Sequence, residues 1–206
     1  RNMMTAFFVQ MESLNKGASR PKDIDKTDCK TLGLLGAGQM GAGIATQAAQ
    51  KGIDVVIKDI SIENANGALD YAAAFYDQRI KKKRMTEEQK AGYLAKIKPT
   101  ADYADLADCD IVIEAVFEDR GVKAAVTKDT EAVIKSSSVF ATNPSALPIT
   151  ELANASRNRP NFIGMHFFNP VPVMALVEVV RGNVTSQQTV DSVVNLARQL
   201  GKEPIV

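Results

Sequence analysis

Thr31-Leu32-Gly33-Leu34-Leu35-Gly36-Ala37-Gly38-Gln39-Met40-Gly41 runs from an apolar stretch into a glycine turn, and the small-residue stretch Ile44 to Lys51 follows it. Leu32, Leu34 and Leu35 read as a buried strand, and Gly36 permits a tight strand-to-helix turn. Gly38 lets a pyrophosphate approach bare backbone, while Gly41 lets helix and strand pack closely. Ala45, Ala48 and Ala49 keep the helix face small, and Gly52 is a natural stop. Asp54 to Asp59 resumes as strand and completes a βαβ unit. A helix opening directly after such a turn offers unpaired N–H groups to phosphates. Asp59, ending the second strand, can accept hydrogen bonds from both hydroxyls of an adenosine ribose and would repel the extra phosphate of NADP. The stretch therefore predicts a seat for NAD built from Gly36, Gly38, Gln39, Met40, Gly41 and Asp59.

Downstream, Ser61 can cap a long helix running toward Arg84, whose basic end suits the negative pole of the helix dipole. Thr86-Glu87-Glu88-Gln89 has capping-box spacing and opens a second helix to about Ile97. Strands follow near Pro99 to Ala101, Ile111 to Ala115 and Val139 to Thr142, with a helix from about Gly121 to Ile134 between the last two. Beyond them come a short helix near Ile149 to Asn154, a strand Phe162 to His166, a proline-rich turn Asn169 to Pro172 and a strand Leu176 to Val180. A helix Ser186 to Leu200 and the segment Glu203 to Val206 close the chain. This alternation predicts an α/β, Rossmann-like, mostly parallel sheet flanked by helices. A helical excursion follows its second strand, and an antiparallel strand lies near the C-terminus.

Residues 1–30 read differently. The apolar group Met3, Met4, Phe7, Phe8, Val9 and Met11 precedes a polar stretch containing Gly17 and Pro21, which predicts a terminal helix and linker ahead of a domain over residues 31–206. Its phenylalanines need a covering surface, either this domain or a preceding one. A start at Arg1 rather than Met favours a fragment.

With 206 residues, 45% of them hydrophobic, and a formal charge of +1, the chain can bury a core. The near-neutral balance argues against a nucleic-acid partner, the tract Lys81-Lys82-Lys83-Arg84 being its one dense basic run. Cys29 and Cys109 lack metal-ligand spacing, so free thiols, a reducing compartment and no metal are expected. No span long enough for a membrane and no signal peptide are legible, which predicts a soluble, cytoplasmic chain.

His166 is the sole histidine and falls at the C-terminal end of a strand, the edge where open α/β sheets bind ligands. Glu178 lies inside the apolar run Ala175 to Val180, where an ionised carboxylate needs a partner. The turn Asn169-Pro170-Val171-Pro172 can bring the two strands side by side. A carboxylate on one ring nitrogen would fix the tautomer and leave the other nitrogen to exchange a proton with substrate. Ser145, after the strand Val139 to Thr142, can donate a hydrogen bond at the same edge. Taken singly, each residue has a plainer alternative: a satisfied strand-end histidine, an edge glutamate facing water, a loop-capping serine.

The glycine turn, Ile113-Glu114-Ala115-Val116-Phe117-Glu118, Asn143-Pro144-Ser145 and His166-Phe167-Phe168-Asn169-Pro170-Val171-Pro172 resemble the NAD-binding domain of L-3-hydroxyacyl-CoA dehydrogenases. The resemblance covers about Lys30 to Val206. It implies that His166 is the catalytic base, Glu178 its holder, and Ser145 a substrate contact. It also implies NAD contacts from Asp59, Glu118, Lys123, Asn143 and Asn169, and a coenzyme A contact from Lys82, for which a solvated helix end is the alternative. Phe7-Phe8-Val9-Gln10 and Lys16-Gly17 resemble the join between hydratase and dehydrogenase parts of multifunctional fatty-acid β-oxidation enzymes of the α-subunit type. That implies an upstream hydratase domain, a thiolase partner and a C-terminal helical domain beyond Val206, in a bacterial cytoplasm or alternatively a mitochondrial matrix or peroxisome. Pro144 and Ala146 depart from the family's Thr-Ser-Ser and remove a backbone N–H and a hydroxyl from the serine loop. A stand-alone 3-hydroxybutyryl-CoA dehydrogenase and a non-catalytic NAD-binding module are the competing readings.

Overall fold

Strands β1 (Thr31–Leu35), β2 (Asp54–Lys58), β3 (Ile97–Thr100), β4 (Ile111–Glu114), β5 (Val139–Thr142), β6 (Phe162–Phe167), β7 (Leu176–Val180) and β8 (Glu203–Ile205) form one sheet in the order β3-β2-β1-β4-β5-β6-β7-β8. The computed structural model describes residues 28–206, so the helix and linker expected over 1–30 lie essentially outside the described residues. Six neighbouring pairs are parallel, and β6 with β7 is the one antiparallel pair. The first six strands follow the dinucleotide-binding order, with the reversal between β1 and β4. Both faces of the sheet are covered, which is why β4 and β5 are buried throughout and read as unbroken runs without alternation.

On one face pack α1 (Gln39–Gln50), α2 (Ile62–Lys81) and α6 (Gln187–Gln199), in a cluster that includes Leu34, Ala45, Tyr76, Met165, Val179 and Val193. On the other lie a 3₁₀ turn (Tyr103–Leu106), α4 (Arg120–Glu131) and α5 (Ile149–Leu152), around Leu106, Val112, Ile149 and the stacked rings of Phe140 and Phe162, 5.5 Å apart. Between α2 and β3, α3 (Glu87–Leu94) completes the helical excursion, opened by the expected capping box at Thr86. Cys29 and Cys109 are buried free thiols, and burial pushes each up to about 12.

Element boundaries move where pairing with a neighbour decides them. The second helix of the excursion stops at Leu94 rather than near Ile97, because the Lys96 carbonyl accepts from the Val55 amide at 2.8 Å and draws the chain into the sheet. For the same reason β3 starts at Ile97, two residues before the expected Pro99. The long helix closes at Lys81, and Lys83 turns into the left-handed region at φ 55°.

The glycine turn sets the junction of β1 and α1. Gly36 has φ 93°, and a Cβ there would sit 2.7 Å from the Ala115 carbonyl oxygen. A Cβ on Gly41 would sit 1.9 Å from the Gly36 carbonyl oxygen, so helix and turn touch backbone to backbone. Gly41→Ala is therefore expected to cost about 1–3 kcal/mol or more through forced backbone displacement. A urea midpoint unchanged from wild type would mean that the turn yields freely.

Candidate active site

A cleft of about 460 Å³ opens at the C-terminal ends of β1, β2 and β4, lined by Gly36, Gly38, Gln39, Met40, Asp59 and Tyr103 among others. Ile60 and Phe117 stand at this cleft 85% and 81% exposed, apolar surface that a flat aromatic ligand could cover. Asp59 is fixed at the turn: one carboxylate oxygen accepts from the Ala37 amide at 2.6 Å, the other from the Ile60 amide at 2.7 Å and Asn64 Nδ2 at 3.3 Å. Lys58 lies over the Tyr103 ring at 3.9 Å. The residues fit a dinucleotide. Helix α1 has Gly38 as its N-cap and no side-chain capping bond, so its first-turn amides keep their capacity for phosphate oxygens. A Cβ on Gly38 would meet nothing within 4 Å, so that glycine faces open space where a ligand can approach.

Along the same sheet edge, the antiparallel register sets His166 directly opposite Glu178, and Nδ1 of the imidazole lies 2.8 Å from Glu178 Oε2. The reason is period two. Met165 and Phe167 are buried at 0% and 2%, as are Val177 and Val179 at 0% and 3%, so the residues between them point to the opposite face. Glu178 is consequently 47% exposed despite its apolar run, with His166 at 24%, and has the partner that the run called for. Water and the imidazole, rather than a low-dielectric interior, surround the carboxylate. Phe168 packs on the His166 ring at 4.7 Å, and Asn143 Oδ1 accepts from the Phe167 amide at 2.9 Å, tying the start of the Ser145 loop to the end of β6.

Glu114, by contrast, is a buried carboxylate, 1% exposed at the end of β4. It accepts Lys123 Nζ at 2.8 and 2.9 Å, the Val116 amide at 2.8 Å and the Thr142 hydroxyl at 2.7 Å. Lys123, itself 2% exposed, also pairs with Glu118 Oε2 at 3.3 Å. The other oxygen of Glu118 accepts the amides of Ser145 at 2.8 Å and Ala146 at 3.3 Å. A chain of charge thus runs from strand β4 through helix α4 to the serine loop. Partial burial opposes ionisation of Glu118, but the Ser145 and Ala146 amides and Lys123 outweigh it and hold the carboxyl below its ordinary 4.5.

The structure brings Gly36, Gly38, Gln39, Met40 and Asp59 into one cleft, and Asn143, Ser145, Glu118, His166 and Glu178 onto the same sheet edge. Ser145 and Asn169 are exposed, whereas Lys123, expected as a contact for NAD, spends its ammonium on two glutamates. Lys82 sits exposed beyond the last turn of α2. A 20-residue helix is about 30 Å long, so Lys82 lies far from the Asp59 end. Sequence reasoning passed over Glu114 as an ionic centre, although a carboxylate closing the run Ile111-Val112-Ile113 was a signal of the same kind as Glu178. Among the described residues no group of three or more His, Cys, Asp or Glu could hold a metal ion, and no helix is long and apolar enough to cross a membrane.

Fold, glycine turn and cleft define a dinucleotide-binding domain of the dehydrogenase type. Residues 31–206 match the family described as 3-hydroxyacyl-CoA dehydrogenase, NAD binding domain, and the chain belongs to it. It is 43% identical over 179 residues to the fatty acid oxidation complex subunit alpha of a Psychrobacter species, covering 87% of this chain and 25% of that protein. The subunit of the same name from Pseudomonas aeruginosa is 41% identical over 203 residues, 98% of this chain and 28% of that one. The chain thus spans about a quarter of the length of these relatives. The solved (S)-3-hydroxybutyryl-CoA dehydrogenase of Ralstonia eutropha superposes with a TM-score of 0.84 at 44% identity, over 86% of this chain and 63% of that one.

Replacing Glu114 by Gln strips Lys123 of its main counter-charge, and the expected loss is about 3–5 kcal/mol of stability. Changing Glu114 and Lys123 together to Met should cost less than the single change, a non-additivity readable from urea unfolding at neutral pH. If the double variant is as unstable as the sum of the single ones, the buried pair is not a coupled unit. Glu118 titrates lower in the folded chain than in the unfolded one, so its contribution is present above pH 4.5 and is lost as pH falls through the lowered folded value. Glu118→Gln should accordingly flatten the acid limb of the stability profile, and an unaltered limb would assign that limb to other carboxyls.

Proposed function

We propose that the protein to which this chain belongs oxidises L-3-hydroxyacyl-CoA to 3-ketoacyl-CoA in fatty-acid β-oxidation, with this chain holding the NAD and the acid–base pair. The observation that carries the reading is the 2.8 Å contact between His166 and Glu178 on the sheet edge that also bears the glycine cleft. With the Nδ1 proton donated to Glu178 Oε2, His166 Nε2 is left as an acceptor for the hydroxyl proton of a secondary alcohol. The Glu178 carboxylate then stabilises the imidazolium that forms. Ser145, its amide held by Glu118, orients the reacting oxygen, and Asp59 receives the adenosine ribose. When bound, NAD would supply the acceptor for the hydride that leaves the carbon bearing that hydroxyl.

The fatty acid oxidation relatives, about four times as long as this chain, support a multifunctional α-subunit with room for a hydratase domain upstream, and a thiolase partner goes with that reading through the family resemblance alone. A second reading, a stand-alone 3-hydroxybutyryl-CoA dehydrogenase, is favoured by the likeness to the Ralstonia enzyme. The coding sequence ahead of Arg1 decides between them. A hydratase domain there selects the first.

In the full-length protein, His166→Ala is expected to lower turnover of acetoacetyl-CoA with NADH by about 10²–10⁴-fold. NADH affinity, followed by nucleotide fluorescence, should stay within about threefold, because the cleft and the imidazole are separate parts of the edge. Glu178→Gln should cause a smaller loss in the same parameter. Full turnover in His166→Ala removes the base, and absence of turnover in a wild type that binds NADH leaves a non-catalytic module.

A further inference from the structure

Lys202 is 4% exposed, although it lies between the helix end at Gly201 and the edge strand β8. Its ammonium donates to the carbonyl oxygen of Val171 and, at 2.7 Å, to that of Met174. Both carbonyls belong to the connection between β6 and β7, the eight residues Phe168 to Ala175 that join the strand of His166 to the strand of Glu178. Among the described residues Lys202 pairs with no carboxylate. Burial, together with the charge of Lys51, holds its ammonium below the ordinary lysine range. A buried cation without a counter-ion is costly and is tolerated where its hydrogen bonds are needed.

The same turn is gripped from its other side. Val171 is 1% exposed and rests on α1, where a Cβ added to Gly43 would lie 3.0 Å from Val171 Cβ and 3.7 Å from Pro172 Cδ. The Glu203 amide donates to the Ala175 carbonyl at 2.8 Å, closing the far end of the connection. Phe168, at the near end, packs on the His166 ring. Phe168 is the first residue of this connection, so a displacement of the turn is passed toward the imidazole through it.

We propose that Lys202 is a positioning residue for the His166–Glu178 pair, its buried ammonium clamping the carbonyls of Val171 and Met174 so that the turn is wedged against Gly43 of the nucleotide-binding helix. The inference rests on the dehydrogenase reading above. It assigns no contact with substrate or cofactor to Lys202, which acts through the turn alone. Misplacement of a reacting group by about 1 Å costs on the order of a hundredfold in rate, so the clamp has an effect that kinetics can read.

The test is a double-mutant cycle in the full-length protein, with turnover of acetoacetyl-CoA and NADH normalised to the folded fraction. Lys202→Met should lower kcat about tenfold or more. In a His166→Ala background the same change should alter kcat by less than about twofold, since no imidazole is left to misplace. A purely structural lysine would lower the folded fraction equally in both backgrounds and leave normalised kcat alone. If Lys202→Met does not fold, Gly43→Ala, which presses on Val171 from the opposite side, enters the cycle in its place with the same expectation. Unchanged normalised kcat, or equal losses in both backgrounds, overturns the clamp while the wild type's activity keeps the dehydrogenase reading. A wild type that binds NADH but leaves acetoacetyl-CoA unreduced overturns both.

Discussion

Side chains directly opposite on antiparallel strands have their β-carbons about 4.5–5.5 Å apart, and one reversal in an otherwise parallel sheet puts that geometry to use. Five parallel pairings carry the chain from β3 across to β6, each strand ending at the same edge. At β6 the chain turns back, and the pairing His166↔Glu178 follows from the register with no need for a loop to fold over. A parallel crossover would have placed a helix and a connection of a dozen or more residues between these two strands, in place of the present eight. The His166–Glu178 geometry is therefore fixed by a ladder of main-chain hydrogen bonds, and it inherits its location from the sheet edge that holds the glycine cleft.

A different interaction shapes the middle of that edge. The pair Glu114–Lys123 is withdrawn from water, so its charges attract strongly, and the donors on Glu114 from Val116 and Thr142 leave little of its capacity unmet. Because Lys123 also reaches Glu118, the loops after β4 and after β5 are set by one ammonium. Ser145 is thereby fixed through its amide, while its side chain stays exposed. Pro144, which lacks a backbone N–H, sits just before amides already committed to Glu118, so the serine loop keeps this anchor despite the proline.

Legibility in the sequence followed the range of the forces involved. The glycine turn is local, Gly36 and Gly41 answering to close backbone contacts and Gly38 to open space at the cleft, and it could be read directly. The capping box at Thr86 and the stop at Gly52 were visible for the same reason. His166 and Glu178 were legible as a pair because a short proline turn separates their strands, yet the half-exposed setting of Glu178 was left open. Val177 and Val179 share the core face while Glu178 between them turns to the other, and composition does not record faces. Glu114 and Lys123 carried the opposite problem: nine positions apart, on a strand and a helix, they join only once α4 has packed on the sheet. Lys202 was silent, since a lysine after a helix-ending glycine reads as solvated, and its two carbonyl partners lie 31 and 28 positions upstream.

Asp59 performs two tasks with one side chain. The oxygen that accepts from Ala37 braces the bend between β1 and α1 from below, while the carboxylate as a whole borders the nucleotide cleft. On the proposed reading of Asp59 as acceptor for the adenosine ribose, discrimination between the two nicotinamide coenzymes is wired into the mechanical integrity of the phosphate-binding loop. Any redesign that trades this acid for a small neutral residue to admit a phosphorylated ribose also removes a strut, and must furnish the Ala37 amide with another acceptor.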